Sequence, residues 1–375
     1  MSFHHKIRDY AIPINAFLVS RLGLFLLVYV TLILFPVQIN RQYWHVFPQN
    51  RFLDGWARFD AGWYSRIARF GYKNIPMGHG QDTNFFPFYP MVIRGLGKVF
   101  GNVFLAGVVV SNLCFFFSLI GLFQLVKDRY DPGIARRSVY LLAFNPFSFF
   151  FSAVYTEAMF LFFVIFSFYF CENRRYLLAG LCAAVAGATR NIGIFTFVGV
   201  GFIAVRQMKE RDEGLNPRVL WLLVSLVGPL AYIAFLGFRF GDPLLFLHAQ
   251  RAWGTFNPKG ILDYVINTLR YGAVWTWGDP VLFLFHFLLG ILAIWIILKE
   301  RRFLGQPYVI FSLLLILPAF LRFTSMGRYL IVVFPLFMAL GKLGKKKWVF
   351  RGFLFVESGL LILFSFMFSH WYWVA

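Results

Sequence analysis

Long, unbroken apolar runs set the fold class of this chain before any other feature does. Residues 104–126, 219–238 and 281–298 are almost wholly apolar. Each can cross a hydrocarbon core of about 30 Å, which takes roughly 20 residues of helix. Strands of a membrane barrel alternate apolar and polar residues, whereas these runs are apolar on every face, so they read as helices. Composition agrees, with 59% hydrophobic and only 14% charged residues, against about a quarter charged in soluble domains. The expected fold class is an all-α polytopic membrane protein, with residues 1–375 forming one integral-membrane domain.

The apolar pattern gives about eleven spans, several of them short for a full crossing. They fall near 12–36, 102–126, 138–153, 156–171, 176–189, 191–206, 219–238, 280–298, 306–321, 329–342 and 352–370. The first is too long for a secretory leader and lacks a small-residue cleavage site, so it reads as a membrane helix preceded by Lys6 and Arg8. Basic residues occupy alternating connections: 127–137, 174–175, 206–218, 299–302 and 342–351. The positive-inside rule places those in the cytoplasm. The opposite, extracytoplasmic side then receives two long connections, 37–101 and 239–280, and brief turns near Tyr155, Arg190 and Thr324. A multi-pass membrane protein with both long connections on its outer side is expected.

The net charge of +20 is explained by these loops, and no nucleic-acid partner is expected. Cys114, Cys171 and Cys182 lie in or beside apolar runs and offer neither a disulfide framework nor metal spacing. The first long connection carries Gly55-Trp56-Ala57-Arg58-Phe59-Asp60-Ala61-Gly62-Trp63-Tyr64-Ser65-Arg66. Trp, Tyr and Arg favour the headgroup level, so short helices lying along the membrane surface are predicted there. Pro87 and Pro90 turn the chain after them.

Asp60 is the first candidate for chemistry. Aromatic neighbours Trp56, Phe59, Trp63 and Tyr64 favour a raised carboxyl pKa, which nearby Arg58 and Arg66 oppose. Such a group suits a general base; the plainer reading is a helix cap or an ion pair with Arg66. Glu157 sits at the mouth of an apolar hairpin, where an ionisable group suggests function. The plainer reading is a helix-start carboxylate with Thr156 as cap. Arg190 and Arg328 each occupy an outer turn and could grip phosphate through a planar fork, or simply anchor headgroups. In the second long connection His248, Gln250 and Arg251 lie near Trp253, where His248 and Arg251 would share a helical face. They could hold a sugar phosphate or acceptor. No HxxxH or HxxE pair accompanies His248, so no metal site and no cofactor are assigned, with a divalent metal left open. All these groups fall on one expected side of the membrane.

Taken in order, the motifs resemble a known family, the PIG-V-type mannosyltransferases related to GPI mannosyltransferase 2. Arg58-Phe59-Asp60-Ala61-Gly62-Trp63-Tyr64 with Ile67-Ala68-Arg69-Phe70-Gly71-Tyr72 is similar to the family's WDAxWYxxIAxxGY signature. Phe85-Phe86-Pro87-Phe88-Tyr89-Pro90, Asn145-Pro146 with Phe151-Ser152-Ala153-Val154-Tyr155-Thr156-Glu157, and Ala179-Gly180-Leu181 through Thr189-Arg190 resemble further family elements. So do the stretch from Gly241-Asp242-Pro243 to Trp253-Gly254 and Arg328-Tyr329 with Pro335-Leu336-Phe337, as in bacterial members. Phe59 departs from the family's usual Trp.

The resemblance implies a GT-C glycosyltransferase fold with the catalytic Asp in the first extracytoplasmic loop, a polyprenyl- or dolichyl-phosphate-sugar donor, and inverting transfer. It makes Asp60 the expected base and Glu157 an active-site residue. It leaves Arg190, His248, Gln250, Arg251, Arg328, Trp63 and Tyr64 as expected donor-phosphate or substrate contacts. The acceptor would be a glycolipid, glycan or protein, with membrane lipids around it. The rival classes are a lipid or sugar transporter or flippase, for which inverted repeats with broken helices would be expected, and a non-catalytic membrane scaffold, which would not account for the ordered motifs.

Overall fold

The computed structural model describes residues 3–38, 50–73, 82–212, 214, 216–249, 280–320 and 325–374, and regular structure within them is helical. The first long helix, α1 (Phe3–Leu34), has no polar stripe, as a helix surrounded by lipid and other helices requires. Three short helices follow: α2 (Arg51–Gly55), α3 (Ala61–Phe70) and α4 (Phe88–Phe100). Helix α3 buries Tyr64, Ile67 and Ala68 and leaves Phe70 exposed. These are the short helices expected between the first two spans. Helix α5 (Val103–Arg129) starts where the Asn102 side chain accepts from the amides of Phe104 and Leu105, and it ends on Lys127 and Arg129. The cap satisfies two orphan donors and the cations oppose the negative end of the helix dipole.

The bundle continues through α6 (Pro132–Ala143), α7 (Glu157–Glu172), α8 (Tyr176–Thr189) and α9 (Ile194–Glu210). A 3-10 helix (Pro217–Leu226) runs directly into α10 (Val227–Phe240), followed by α11 (Leu245–Ala249). The C-terminal part is α12 (Pro280–Lys299), α13 (Arg301–Leu304), α14 (Gln306–Ala319), α15 (Met326–Leu330), α16 (Phe334–Leu343) and α17 (Lys347–Ser369). Five described segments are long and apolar enough to span a membrane: Tyr10–Leu34, Val103–Arg129, Asn191–Glu210, Pro217–Phe240 and Lys347–Ser369. Shorter apolar helices accompany them at Tyr176–Thr189, Leu284–Lys299, Gln306–Ala319 and Phe334–Leu343. Large apolar side chains on the outside, such as Leu22, Phe238 and Phe355, form a surface that only lipid solvates well.

Two expected spans are broken. The run 138–153 leaves the α-helix after Ala143 and resumes as a 3-10 helix at Ser148–Phe151, because Pro146 biases the residue before it away from helix; the Asn145 side chain accepts from the Phe147 amide at 3.0 Å between them. The run 329–342 divides into α15 and α16, with Pro335 in the first turn of α16. Broken helix at membrane depth must have its carbonyls satisfied from inside the protein. Buried Arg21 of α1 does this, donating to the carbonyls of Ala143 (3.0 Å) and Ser148 (2.8 Å) and to the hydroxyls of Ser148 and Ser152.

The basic connections meet at one end of the bundle, as their alternation predicts. Glu172, closing α7, takes Arg129 at 3.1 Å, Arg206 at 2.5 Å and the Tyr308 hydroxyl at 2.8 Å. Lys342 pairs with Glu300 and Arg137 donates to the Gly341 carbonyl. Glu157 opens the same helix about 22 Å away, at 1.5 Å per residue.

Candidate functional site

At that opposite end, side chains from four separated parts of the chain converge. Asp60 precedes α3 but its side chain does not cap the helix. Its Oδ2 instead accepts from Nη1 of Arg328 at 2.6 Å. The same guanidinium donates through Nε to Glu157 Oε1 at 2.9 Å, so Arg328 bridges the two carboxylates. Arg190 closes the cluster, pairing through Nη1 with Glu157 Oε1 at 2.6 Å and donating to the Thr156 hydroxyl at 3.3 Å. Two cations and two anions therefore share a pocket in which Glu157 is fully buried and the Asp60 side chain is 17% exposed. Among the described residues Asp60 Oδ1 and Arg328 Nη2 have no partner.

Backbone geometry holds Asp60 in place. Phe59 has a φ of +49°, a conformation that costs a non-glycine residue roughly 1–3 kcal/mol unless its surroundings hold it. Its ring packs edge-on against Trp371 and Trp373, with centroids 5.1 and 5.0 Å away. The Tyr155 hydroxyl accepts from the Asp60 amide at 3.1 Å and donates to the Arg58 carbonyl at 3.0 Å. The Tyr155 ring also lies under the Arg328 guanidinium, 4.7 Å from its centroid. One side chain thus fixes both the turn that carries Asp60 and the cation that Asp60 meets. At Gly327, next to Arg328, a Cβ would collide with the Phe147 ring, so glycine lets α15 approach this closely.

The structure brings together Asp60, Glu157, Arg190, Arg328 and Tyr64. The Tyr64 hydroxyl shares a hydrogen bond with Thr156 at 3.2 Å. Burial, reinforced by the Glu157 charge, pushes the Tyr64 phenol up from its ordinary pKa, so it stays a donor. Trp63 stacks on Phe85 at 5.7 Å beside the cluster. His248 bonds Asp242 at 2.7 Å and makes no contact with the cluster among the described residues. Gln250, Arg251 and Trp253 lie outside the described residues.

Three local expectations are corrected. Arg58 is not a counter-ion of Asp60: it is buried, pairs with Asp54 and donates to the Ser369 carbonyl. Arg66 lies over the Trp63 ring rather than against Asp60. Thr156 does not cap α7; its hydroxyl serves Tyr64 and Arg190. Tyr155 was missed as a functional residue, although its place two residues before a carboxylate at membrane depth was a usable signal.

A groove of about 490 Å³ lies between α3–α4 and α8–α10, walled by residues including Ile67, Phe88, Met91, Ala188, Tyr232 and Phe235. Ala188 is two residues from Arg190 and Ile67 one helical turn from Tyr64. Among the described residues no group of three or more His, Cys, Asp or Glu could hold a metal ion. The arrangement offers a carboxylate oxygen able to take a proton, a guanidinium edge able to hold an anion, and an apolar channel beside both.

Residues 35–216 match the family model described as Mannosyltransferase (PIG-V), a segment that includes Asp60, Glu157 and Arg190. GPI mannosyltransferase 2 from two strains of Cryptococcus neoformans var. neoformans is 28% identical over 160 residues, covering 40% of this chain and 36% of the relative. ArnT from Cupriavidus metallidurans superimposes in its apo state with a TM-score of 0.52 at 15% identity, over 88% of this chain and 59% of ArnT. Its complex with undecaprenyl phosphate gives 0.51 at 14% identity, over 90% and 62%. This chain therefore spans about a third of the length of those fungal relatives and about three-fifths of ArnT. Residues 35–216, just under half of the chain, are thus similar to the PIG-V mannosyltransferase family, and the helical bundle that carries this segment has the fold of ArnT.

Proposed function

We propose that this protein is a membrane glycosyltransferase that moves a sugar, mannose by family, from a polyprenyl-phosphate donor to an acceptor hydroxyl with inversion. The observation that carries the reading is Arg328 holding Asp60 and Glu157 at once, with an apolar groove walled by the helices that carry Tyr64 and lead to Arg190. The donor's isoprenoid tail lies in that groove, and its phosphate meets Arg190 and Arg328. ArnT, which shares the fold, has been solved bound to undecaprenyl phosphate. The site faces the extracytoplasmic side of a bacterial inner membrane, because the basic connections gather at the other end. The acceptor is a glycolipid, glycan or protein presented from that side.

In the transfer, the acceptor oxygen forms a bond to the anomeric carbon as the bond from that carbon to the phosphate oxygen breaks. The bonding pair leaves with the lipid phosphate, and the acceptor proton goes to Asp60 Oδ1. Proton transfer to Asp60 is late, when the acceptor hydroxyl has already become acidic through its new bond. Charge that develops on the leaving phosphate falls next to preplaced guanidinium groups, which is usually the largest contribution to such catalysis.

The test incubates purified protein with polyprenyl-phosphate-mannose radiolabelled in the sugar, together with membrane glycolipid extract. Label appearing in an acceptor, with release of polyprenyl phosphate, supports the reading. Donor that crosses a vesicle membrane unconsumed would establish the transporter instead.

A further inference from the structure

The end of the bundle away from the carboxylate–arginine cluster holds a second cavity, of about 350 Å³, whose walls include Arg174, Arg175, Arg218, Leu177, Leu178 and Trp221. It lies between the α7–α8 turn and the start of the 3-10 helix, and no described carboxylate lines it. The turn is built rather than incidental. Arg174 has a φ of +58°, where glycine or asparagine is the easy choice. Its Nη2 donates to the Gln207 carbonyl at 3.2 Å. Gln207 is in turn buried, accepting from the Tyr176 hydroxyl at 2.8 Å and donating to the carbonyls of Cys171 and Glu172.

Arg175 and Arg218 are exposed, and neither pairs with a described carboxylate; the nearby Glu172 and Glu210 are occupied by Arg129, Arg206 and Tyr308. Beside these cations lies an apolar ledge, with Leu177, Leu178 and Trp221 exposed by 41%, 40% and 51%. Exposed cations next to an apolar ledge and an exposed Trp, at the end of a membrane bundle, match an anionic headgroup with acyl chains below it. A soluble anion would have no use for the ledge.

We propose that this cavity binds an anionic membrane phospholipid, its phosphodiester between Arg175 and Arg218 and its acyl chains along Leu177, Leu178 and Trp221. The site is separate from the transfer chemistry and does not depend on it.

Native mass spectrometry of the full chain released from detergent tests this, with phosphatidylglycerol, phosphatidylcholine and inorganic phosphate as probes. The wild type should retain phosphatidylglycerol roughly tenfold better than phosphatidylcholine, and Arg175→Gln with Arg218→Gln should abolish that preference. Lys345→Gln with Lys346→Gln removes the same charge from another exposed turn and should leave it intact. Equal loss in both double variants would mean diffuse attraction and overturn the site. Trp221→Ala keeps every charge and should still weaken retention severalfold; unchanged retention would overturn the acyl ledge. Displacement of the lipid by millimolar inorganic phosphate would assign the cavity to a soluble anion and overturn the lipid.

Discussion

Arg328 and Asp60 stand 268 residues apart in the chain and meet at 2.6 Å through Nη1 and Oδ2. Because Nε of the same guanidinium is bound to Glu157, the position needs a planar fork with donors in two directions. Lysine is a point donor on a flexible stem and cannot reproduce it. Arg328→Lys is therefore expected to lower turnover by at least about 100-fold, the scale of losing one preorganised electrostatic contact. Arg328→Gln should in addition destabilise by roughly 3–5 kcal/mol, because a buried carboxylate loses a partner. Adding Glu157→Gln should recover much of the melting temperature without recovering turnover. Thermal denaturation in detergent and the labelled-donor assay separate the two effects.

Asp60→Asn keeps the shape and the bond to Arg328 while removing the site that takes the proton. A drop of about 10²–10⁴-fold in kcat, with folding little changed, is the expected outcome. Wild-type turnover in the purified variant would exclude Asp60 as the base.

The bundle was legible from the chain because apolar runs and basic turns are local patterns. The short interfacial helices around Asp60 and the clustering of basic connections around Glu172 follow from composition alone. Breaks at Pro146 and Pro335 were also written in the sequence, but the apolar stretches on either side masked them. What was not legible is pairing. Asp60 has Arg58 and Arg66 beside it in sequence, yet both turn away, and its counter-ion arrives from α15. Arg21 shows the same limit from the other side: a charge in an apolar helix suggested no partner, because its partners are carbonyls exposed by a helix break more than 120 residues later. Tertiary contact, rather than any local propensity, decided each of these.

Asp82 gives a pH test outside the spanning helices. It is fully buried, accepts from the Lys73 amide at 2.8 Å, and its Oδ1 has no hydrogen-bond partner among the described residues. Burial pushes its carboxyl pKa up. A raised folded-state pKa means the folded protein binds this proton more tightly than the unfolded chain. Its contribution to stability is then present at low pH and is lost as pH rises through the folded pKa. Asp82→Asn, which keeps an acceptor for Lys73, should melt higher than wild type at pH 7. The advantage should shrink as pH falls through the raised folded-state pKa and be gone below about 4, the ordinary carboxylate range.

Ala188 tests the groove. Trp at this position would fill the channel next to Arg190 without touching the charged cluster. The KM for a long-chain polyprenyl donor should rise by about tenfold, the scale of blocking a modest patch of apolar contact. A short-chain analogue should be handled almost as by wild type. An equal penalty for both chain lengths would place the lipid elsewhere.

Tyr155 separates positioning from chemistry. Its hydroxyl touches the Asp60 amide and the Arg58 carbonyl, while its ring supports Arg328. Tyr155→Phe keeps the ring and removes the clamp, leaving Phe59 at φ +49° with one restraint fewer. Stability should fall by roughly 1–3 kcal/mol, since the Arg58 carbonyl loses its donor. If the clamp merely supports the fold, kcat measured well below the melting transition stays as in wild type. If it sets the direction of Asp60, kcat falls by about 10-fold or more while the donor KM is unchanged, because only the transition state requires the carboxylate in register. The geometry favours the second outcome: the clamp acts on the backbone of Asp60 itself, and a misplaced base loses rate without losing substrate.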